Sequence, residues 1–124
     1  MSVQLSFSHV GLFVNDLPKM VDFYTRILGL VVSDRDLRED GSEIAFLTGD
    51  PREHHQVVFA TGRPADLPYN MIQQISFRAP SLSVLREVYN KLVKEPIIEL
   101  GPVTHGNAIS TYFRDPRGTG LRYS

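Results

Sequence analysis

The chain repeats its own pattern after 65 residues, and this repeat constrains the fold more than any other feature. Residues 5–14 are rich in aromatic and β-branched types and predict a strand. A helix pattern follows, with Asp16 as its N-cap and Gly29 at its C-terminal end. At the 65-residue offset, residues 73–77 again predict a strand and Ser81 takes the N-cap position. Two pairs of residues are identical across the offset: Leu17 and Leu82, and Tyr24 and Tyr89.

Three further strands are predicted after each helix. They fall at 31–33, 43–47 and 56–60 in the first half, and at 97–100, 110–114 and 119–124 in the second. Two similar amphipathic helices could arise by chance, but the matching caps and strand counts favour a duplication. The sequence therefore predicts an α+β fold, in which two tandem βαβββ modules form a half-closed, cup-shaped mixed sheet suited to a small ligand.

We expect one domain spanning 1–124, with module one at about 5–60, a linker at about 61–70 and module two at about 71–124. The formal net charge of −1 argues against nucleic acid or an anionic membrane as a partner. The absence of cysteine excludes disulfides and thiolate metal ligands. Because the chain shows neither a secretory signal pattern nor a long apolar run, we expect a cytoplasmic location.

Two groups of residues resemble one known family. The first is HVGLFVNDL at 9–17, followed by FY at 23–24 and LGL at 28–30. The second is VTH at 103–105, then Tyr112, then DPRG at 115–118. The first group resembles the opening of a module of the vicinal oxygen chelate superfamily, which includes glyoxalases, extradiol dioxygenases and bleomycin-resistance proteins. The second resembles the signature near the C-terminus of extradiol ring-cleaving dioxygenases.

The resemblance implies a metal site, from which this chain departs at two positions. Such dioxygenases hold Fe(II) with two histidines and one carboxylate, on the first strand of each module and on the last strand. Carried over by position, the first ligand is His9 and the second is Gln74, which stands where the family has a histidine. The third ligand position, a glutamate in the family, is occupied by Arg122. An amide oxygen is a possible ligand, and glyoxalase I enzymes use one, but a guanidinium has no lone pair to donate. We therefore expect Fe(II) or another divalent metal to be held weakly or not at all.

The resemblance also implies two catalytic residues. His105 would handle protons during oxygen activation, and the Tyr112 hydroxyl would bond the substrate oxygen. The alternatives are a loop histidine and a core tyrosine. His54 and His55 together precede a strand, where a double histidine is most simply part of an exposed loop. Alternatively, His55 or Gln56 could face the cup and supply a further ligand. Six phenylalanines are available to line an apolar cup: Phe7, Phe13, Phe46, Phe59, Phe77 and Phe113.

Three functions follow from these residues. The first is an extradiol, catechol-type dioxygenase-like protein with a degraded or atypical metal site. The second is a metal-free small-molecule binding or drug-sequestering protein of the same fold. The third, a glyoxalase- or epimerase-type isomerase, needs glutamates, but Glu43, Glu53 and Glu99 match no ligand position clearly. In each case we expect a small aromatic or vicinal-oxygen ligand, and a homodimer because a short chain leaves a sheet edge open.

Overall fold

The computed structural model describes residues 4–62 and 74–95, and the backbone of three strands at Gly101–His105, Ala108–Arg114 and Gly120–Tyr123. The chain divides into two compact units, Met1–Arg63 and Pro64–Ser124. The predicted linker falls mainly on residues 63–70, which lie outside the described residues.

The first unit is a four-stranded mixed sheet with one helical segment. Its elements are β1 (Val10–Val14), α1 (Leu17–Asp22) continued by a π-helical turn (Phe23–Ile27), β2 (Val31–Leu37), β3 (Glu43–Thr48) and β4 (Val57–Thr61). The strand order is β1-β4-β3-β2. The β1–β4 pair is parallel, whereas β3 is antiparallel to both β2 and β4.

Capping explains where the first helix begins and ends. The Asp16 side chain accepts a hydrogen bond from the Lys19 backbone N–H at 3.1 Å, as predicted for an N-cap. The predicted single helix widens into the π-helical turn where the Thr25 hydroxyl donates to the Val21 carbonyl at 2.7 Å. Such side-chain bonds compete with the regular helical ladder. Gly29 has a φ of +76°, the left-handed conformation that stops a helix with least strain.

The helix covers one face of the first sheet. Leu12, Phe59 and Ala45 lie opposite one another in register and are all buried. The ring of Tyr24 on the helix packs edge-on against Phe59, with centroids 4.8 Å apart. This face is the core of the unit, so Phe59 is buried there and does not line a ligand cup. That part of the sequence-based prediction is wrong.

The first strand is shorter than predicted. The structure has β1 only from Val10, and Leu5 and Phe7 are 89% and 82% exposed. The reason is pairing: Val10 lies opposite Val57, the first residue of β4, so residues 5–9 have no β4 residue to pair with. His9 therefore lies just before the strand rather than within it.

The second unit repeats the order of the first. Its elements are β5 (Ile75–Phe77), α2 (Leu82–Leu92), β6 (Gly101–His105), β7 (Ala108–Arg114) and β8 (Gly120–Tyr123). The strand order is β5-β8-β7-β6, again with the outer pair β5–β8 parallel. Ser81 caps α2 by accepting from the Val84 N–H at 3.3 Å, as predicted. The strand predicted at 97–100 begins instead at Gly101, and residues 96–100 lie outside the described residues.

The predicted α+β class and the repeated βαβββ order are confirmed. Each sheet is mixed and unclosed. Neither α1 nor α2 has the length and apolar character required to cross a bilayer, and this finding covers the part of the chain that the structure describes.

The burial of Phe59 leads to a stability prediction. Replacement of Phe59 by alanine should lower the free energy of unfolding by about 3–5 kcal/mol, because it removes a buried ring and leaves a cavity beneath Tyr24. Phe7→Ala is the matched control and should change it by less than about 0.5 kcal/mol, since Phe7 is 82% exposed. Urea denaturation measures both. Equal losses in the two variants would show that the helix-covered face is not the core.

Candidate functional site

Three of the four histidines meet at one end of the first sheet. β1 and β4 are parallel neighbours that begin side by side, and the Val10 N–H donates to the Gln56 carbonyl at 3.0 Å. The residues just before the two strands are therefore brought together. The rings of His9 and His55 lie edge to face, with centroids 4.3 Å apart.

His54 completes this group, which we call the histidine cluster (His9, His54 and His55). The Nδ1 atoms of His54 and His55 are 2.9 Å apart, a hydrogen-bonding distance. The ring of Phe46 on β3 lies 5.8 Å from the ring of His54 and 5.2 Å from that of His55. The cluster thus combines imidazole nitrogens with one aromatic wall. His55 is half-buried, and His9 and His54 are exposed.

An irregularity in β2 brings a carboxylate to the same group. The register shifts at Ser33, so that Val32 lies opposite Leu47 but Asp34 lies opposite Phe46. A β-bulge of this kind turns the following side chain to the other face of the sheet. Asp34 therefore shares the face of Phe46, and its Oδ2 lies 3.7 Å from the Nε2 of His54. Asp34 could not be predicted as part of this site, because nothing in the local sequence of β2 indicates the bulge.

Gln56 has a different role. Its Oε1 accepts a hydrogen bond from the Gly49 N–H at 2.8 Å and lies 3.5 Å from the Thr48 hydroxyl. The side chain therefore closes the loop between β3 and β4. Of the two residues left open by the sequence, His55 joins the histidine cluster and Gln56 does not.

The surroundings of His55 keep it neutral. Partial burial lowers the pKa of His55, and the nearby charges of His9 and His54 lower it further, whereas Glu53 acts in the opposite direction. An imidazole with a lowered pKa is unprotonated at neutral pH and offers one nitrogen as a hydrogen-bond acceptor.

The predicted metal site can be tested against the available donors. In residues 4–62 and 74–95, no three histidine, aspartate or glutamate side chains converge on a point where they could hold a metal ion. Of the predicted ligands, His9 precedes β1 and Gln74 precedes β5 at the equivalent position. A neutral imidazole and a neutral amide, with arginine as the third residue, do not fit a tight Fe(II) site.

The second sheet aligns the remaining predicted residues by register. Tyr112 on β7 lies opposite Arg122 on β8, and Arg122 lies opposite Ser76 on β5. His105 ends β6 opposite Ala108, so it is a strand residue and not a loop residue. Because opposed residues, and alternate residues along a strand, occupy one face, His105, Tyr112 and Arg122 share a face of this sheet. Their predicted catalytic and ligand roles stay predictions, since their side chains lie outside the described residues.

Comparison with known proteins gives one family. The model of the Glyoxalase/Bleomycin resistance protein/Dioxygenase superfamily matches residues 6–123. Biphenyl-2,3-diol 1,2-dioxygenase 3 of Rhodococcus globerulus is 31% identical over 95% of this chain, and biphenyl-2,3-diol 1,2-dioxygenase 2 of the same organism is 28% identical over 95%. The chain spans 62% and 61% of the lengths of these two relatives.

A solved structure shows the same fold over nearly the whole chain. It is the glyoxylase/bleomycin resistance protein/dioxygenase domain from Frankia sp. EAN1pec, with a TM-score of 0.79 and 24% identity. The match covers 98% of this chain and 97% of that one.

The environment of His55 leads to a titration prediction. In an NMR titration its midpoint should fall below the ordinary value of 6.5. His9→Asn should raise this pKa by removing a neighbouring charge, and Glu53→Gln should lower it further. Because the folded pKa is the lower one, stabilisation by neutral His55 is complete above about pH 6.5 and is lost as the pH falls through the folded pKa. A midpoint at or above 6.5 would contradict this description of the cluster.

Proposed function

Because the chain belongs to the glyoxalase/bleomycin resistance/dioxygenase superfamily, we propose that it is an extradiol-dioxygenase-like protein that binds a small aromatic diol of the catechol type at the histidine cluster. The observation that carries this proposal is the arrangement of His9, His55 and Phe46, which offers hydrogen-bond acceptors beside an aromatic wall. The names of the two Rhodococcus relatives support the same ligand class, since both act on biphenyl-2,3-diol.

The chemistry of a catechol suits this arrangement. Its ring is flat and apolar, and its two hydroxyls are adjacent donors on one edge. Neutral His55 accepts a hydrogen bond from one hydroxyl, and His9 is close enough to serve the other. The Nδ1 of His9 is engaged by the Ser8 hydroxyl at 3.0 Å, which leaves its Nε2 for the ligand. The ring of the diol packs against Phe46, where aromatic pairs prefer edge-to-face or offset contacts.

Binding at this cluster does not depend on a metal ion. The donors contributed by His9 and Gln74 do not fit a tight Fe(II) site, and Arg122 brings a positive charge at the third ligand position. We therefore propose that a divalent metal is held weakly. The poor fit of these residues to a metal ion also favours a second candidate function. This is metal-free binding or sequestration of the same aromatic ligand, as in bleomycin-resistance proteins of this superfamily.

The first test is ligand binding without metal. Isothermal titration with biphenyl-2,3-diol, in the presence of a chelator, should show binding to the unmodified protein. His55→Ala and Phe46→Ala should each weaken it by about threefold to tenfold, because each removes one hydrogen bond or one aromatic contact. Arg26→Gln, on the helix that covers the other face, is the control and should bind normally. Equal binding by all four proteins would place the ligand elsewhere.

The second test concerns the metal. Gln74→His together with Arg122→Glu would restore two strong donors and should raise Mn(II) affinity by roughly two orders of magnitude. Either change alone should do much less, because a three-ligand face is needed to compete with water. Titration of Mn(II) into the four proteins measures this. Tight, stoichiometric binding by the unmodified protein through His9 would refute weak metal binding and favour a ring-cleaving enzyme.

A further inference from the structure

The contact between His54 and His55 joins the same type of nitrogen on both rings. The two Nδ1 atoms are 2.9 Å apart, so one of them must donate a proton and the other must accept it. A neutral imidazole carries one N–H and one bare nitrogen. The tautomer of His54 therefore determines the tautomer of His55, and with it which nitrogen of His55 is available to a ligand.

Asp34 lies close enough to His54 to favour one of its two tautomers. Its carboxylate oxygen lies 3.7 Å from the Nε2 of His54, too far for a hydrogen bond but close enough to favour a proton on that nitrogen. With the proton on Nε2, the Nδ1 of neutral His54 is an acceptor. The Nδ1 of His55 must then be the donor, and the Nε2 of His55 is left bare.

We infer that Asp34 and His54 are positioning residues that hold His55 in its Nδ1–H tautomer, so that the Nε2 of His55 accepts a hydrogen bond from a hydroxyl of the diol. The role of Nε2 toward the diol rests on the proposed function, whereas the tautomer itself does not. A carboxylate that acts on one imidazole through another can fix which nitrogen is the acceptor without touching the ligand.

The bulge in β2 is what makes this arrangement possible. In an uninterrupted ladder Ser33 would lie opposite Phe46, and Asp34 would lie opposite Ala45 on the helix-covered face. The register shift at Ser33 instead places Asp34 opposite Phe46, on the face of the histidine cluster. The Ser33 hydroxyl stabilises the bulge by donating a hydrogen bond to the Phe46 carbonyl at 3.2 Å. The bulge therefore directs a charge toward the histidine cluster.

The test is NMR of the full chain labelled with ¹⁵N in histidine, recorded without ligand at pH 8, above the ordinary imidazole pKa of about 6.5. Long-range ¹H–¹⁵N correlations distinguish the two tautomers. The unmodified protein should show His55 with a protonated Nδ1 and a bare Nε2. Asp34→Asn should shift His54 and His55 toward a mixture of tautomers, because the negative charge is gone.

Asp36→Asn is the matched control. Asp36 lies two residues further along β2, opposite Ile44. It therefore carries the same charge as Asp34 on the same face of the sheet, two residues further from the histidine cluster. It should leave the tautomer of His55 unchanged. A protonated Nε2 on His55 in the unmodified protein, or an identical spectrum for Asp34→Asn, would overturn the inference.

Titration of biphenyl-2,3-diol into the same proteins separates this inference from the proposed function. Asp34→Asn should weaken binding by about threefold to tenfold, and Asp36→Asn should not. If the tautomer moves as expected but no protein binds the diol, the proposed function fails and the assignment of Asp34 and His54 stands for the tautomer alone. If the diol binds and Asp34→Asn alters neither tautomer nor affinity, the inference fails and the proposed function stands.

Discussion

The parallel pairing of β1 with β4 is the contact on which the candidate site depends. Val10 lies opposite Val57, so the two strands begin at the same level of the sheet. The residues that precede them, His9 and His55, are more than forty positions apart in the chain and are adjacent in space. The same pairing turns Leu12 and Phe59 toward the helix. Core and site are therefore set by one register, and a slip by one residue would exchange the two faces.

The electrostatics of the histidine cluster follow from this geometry. Partial burial lowers the pKa of His55, and the nearby charges of His9 and His54 lower it further. A neutral histidine is an acceptor for a hydroxyl and also a potential metal ligand. In the part of the chain that the structure describes, however, no three histidine, aspartate or glutamate side chains converge where they could hold a metal ion. Under the function proposed above, this combination binds an aromatic diol and holds a divalent metal only weakly.

Much of the fold could be predicted from the sequence because the signals were local. The caps at Asp16 and Ser81, the glycine stop at Gly29 and the 65-residue repeat all depend on neighbours in the chain, and the structure agrees with them. The start of β1 could not be predicted, since it depends on where β4 begins. The bulge at Ser33 is equally a product of pairing between strands, so the position of Asp34 beside His54 has no local signal.

Only part of the candidate site could be predicted, because some of its residues carry a local sequence signal and others are brought in by pairing between strands. The resemblance to a known family pointed to His9, and the double histidine before β4 made His55 a candidate. Phe46 was only one of six phenylalanines that could line the site, and the sequence did not single it out. The sequence also left His55 and Gln56 as alternatives, and the structure excludes Gln56 because its side chain accepts a hydrogen bond from Gly49. We propose that an aromatic diol binds at the histidine cluster of the first unit.

The most direct measurement follows the four histidine signals of ¹⁵N-histidine-labelled protein while unsubstituted catechol is added in the presence of a chelator. We predict saturable shifts at His9 and His55, a smaller shift at His54, and little change at His105. Shifts confined to His105, or no saturable shift at His9 and His55, would contradict it.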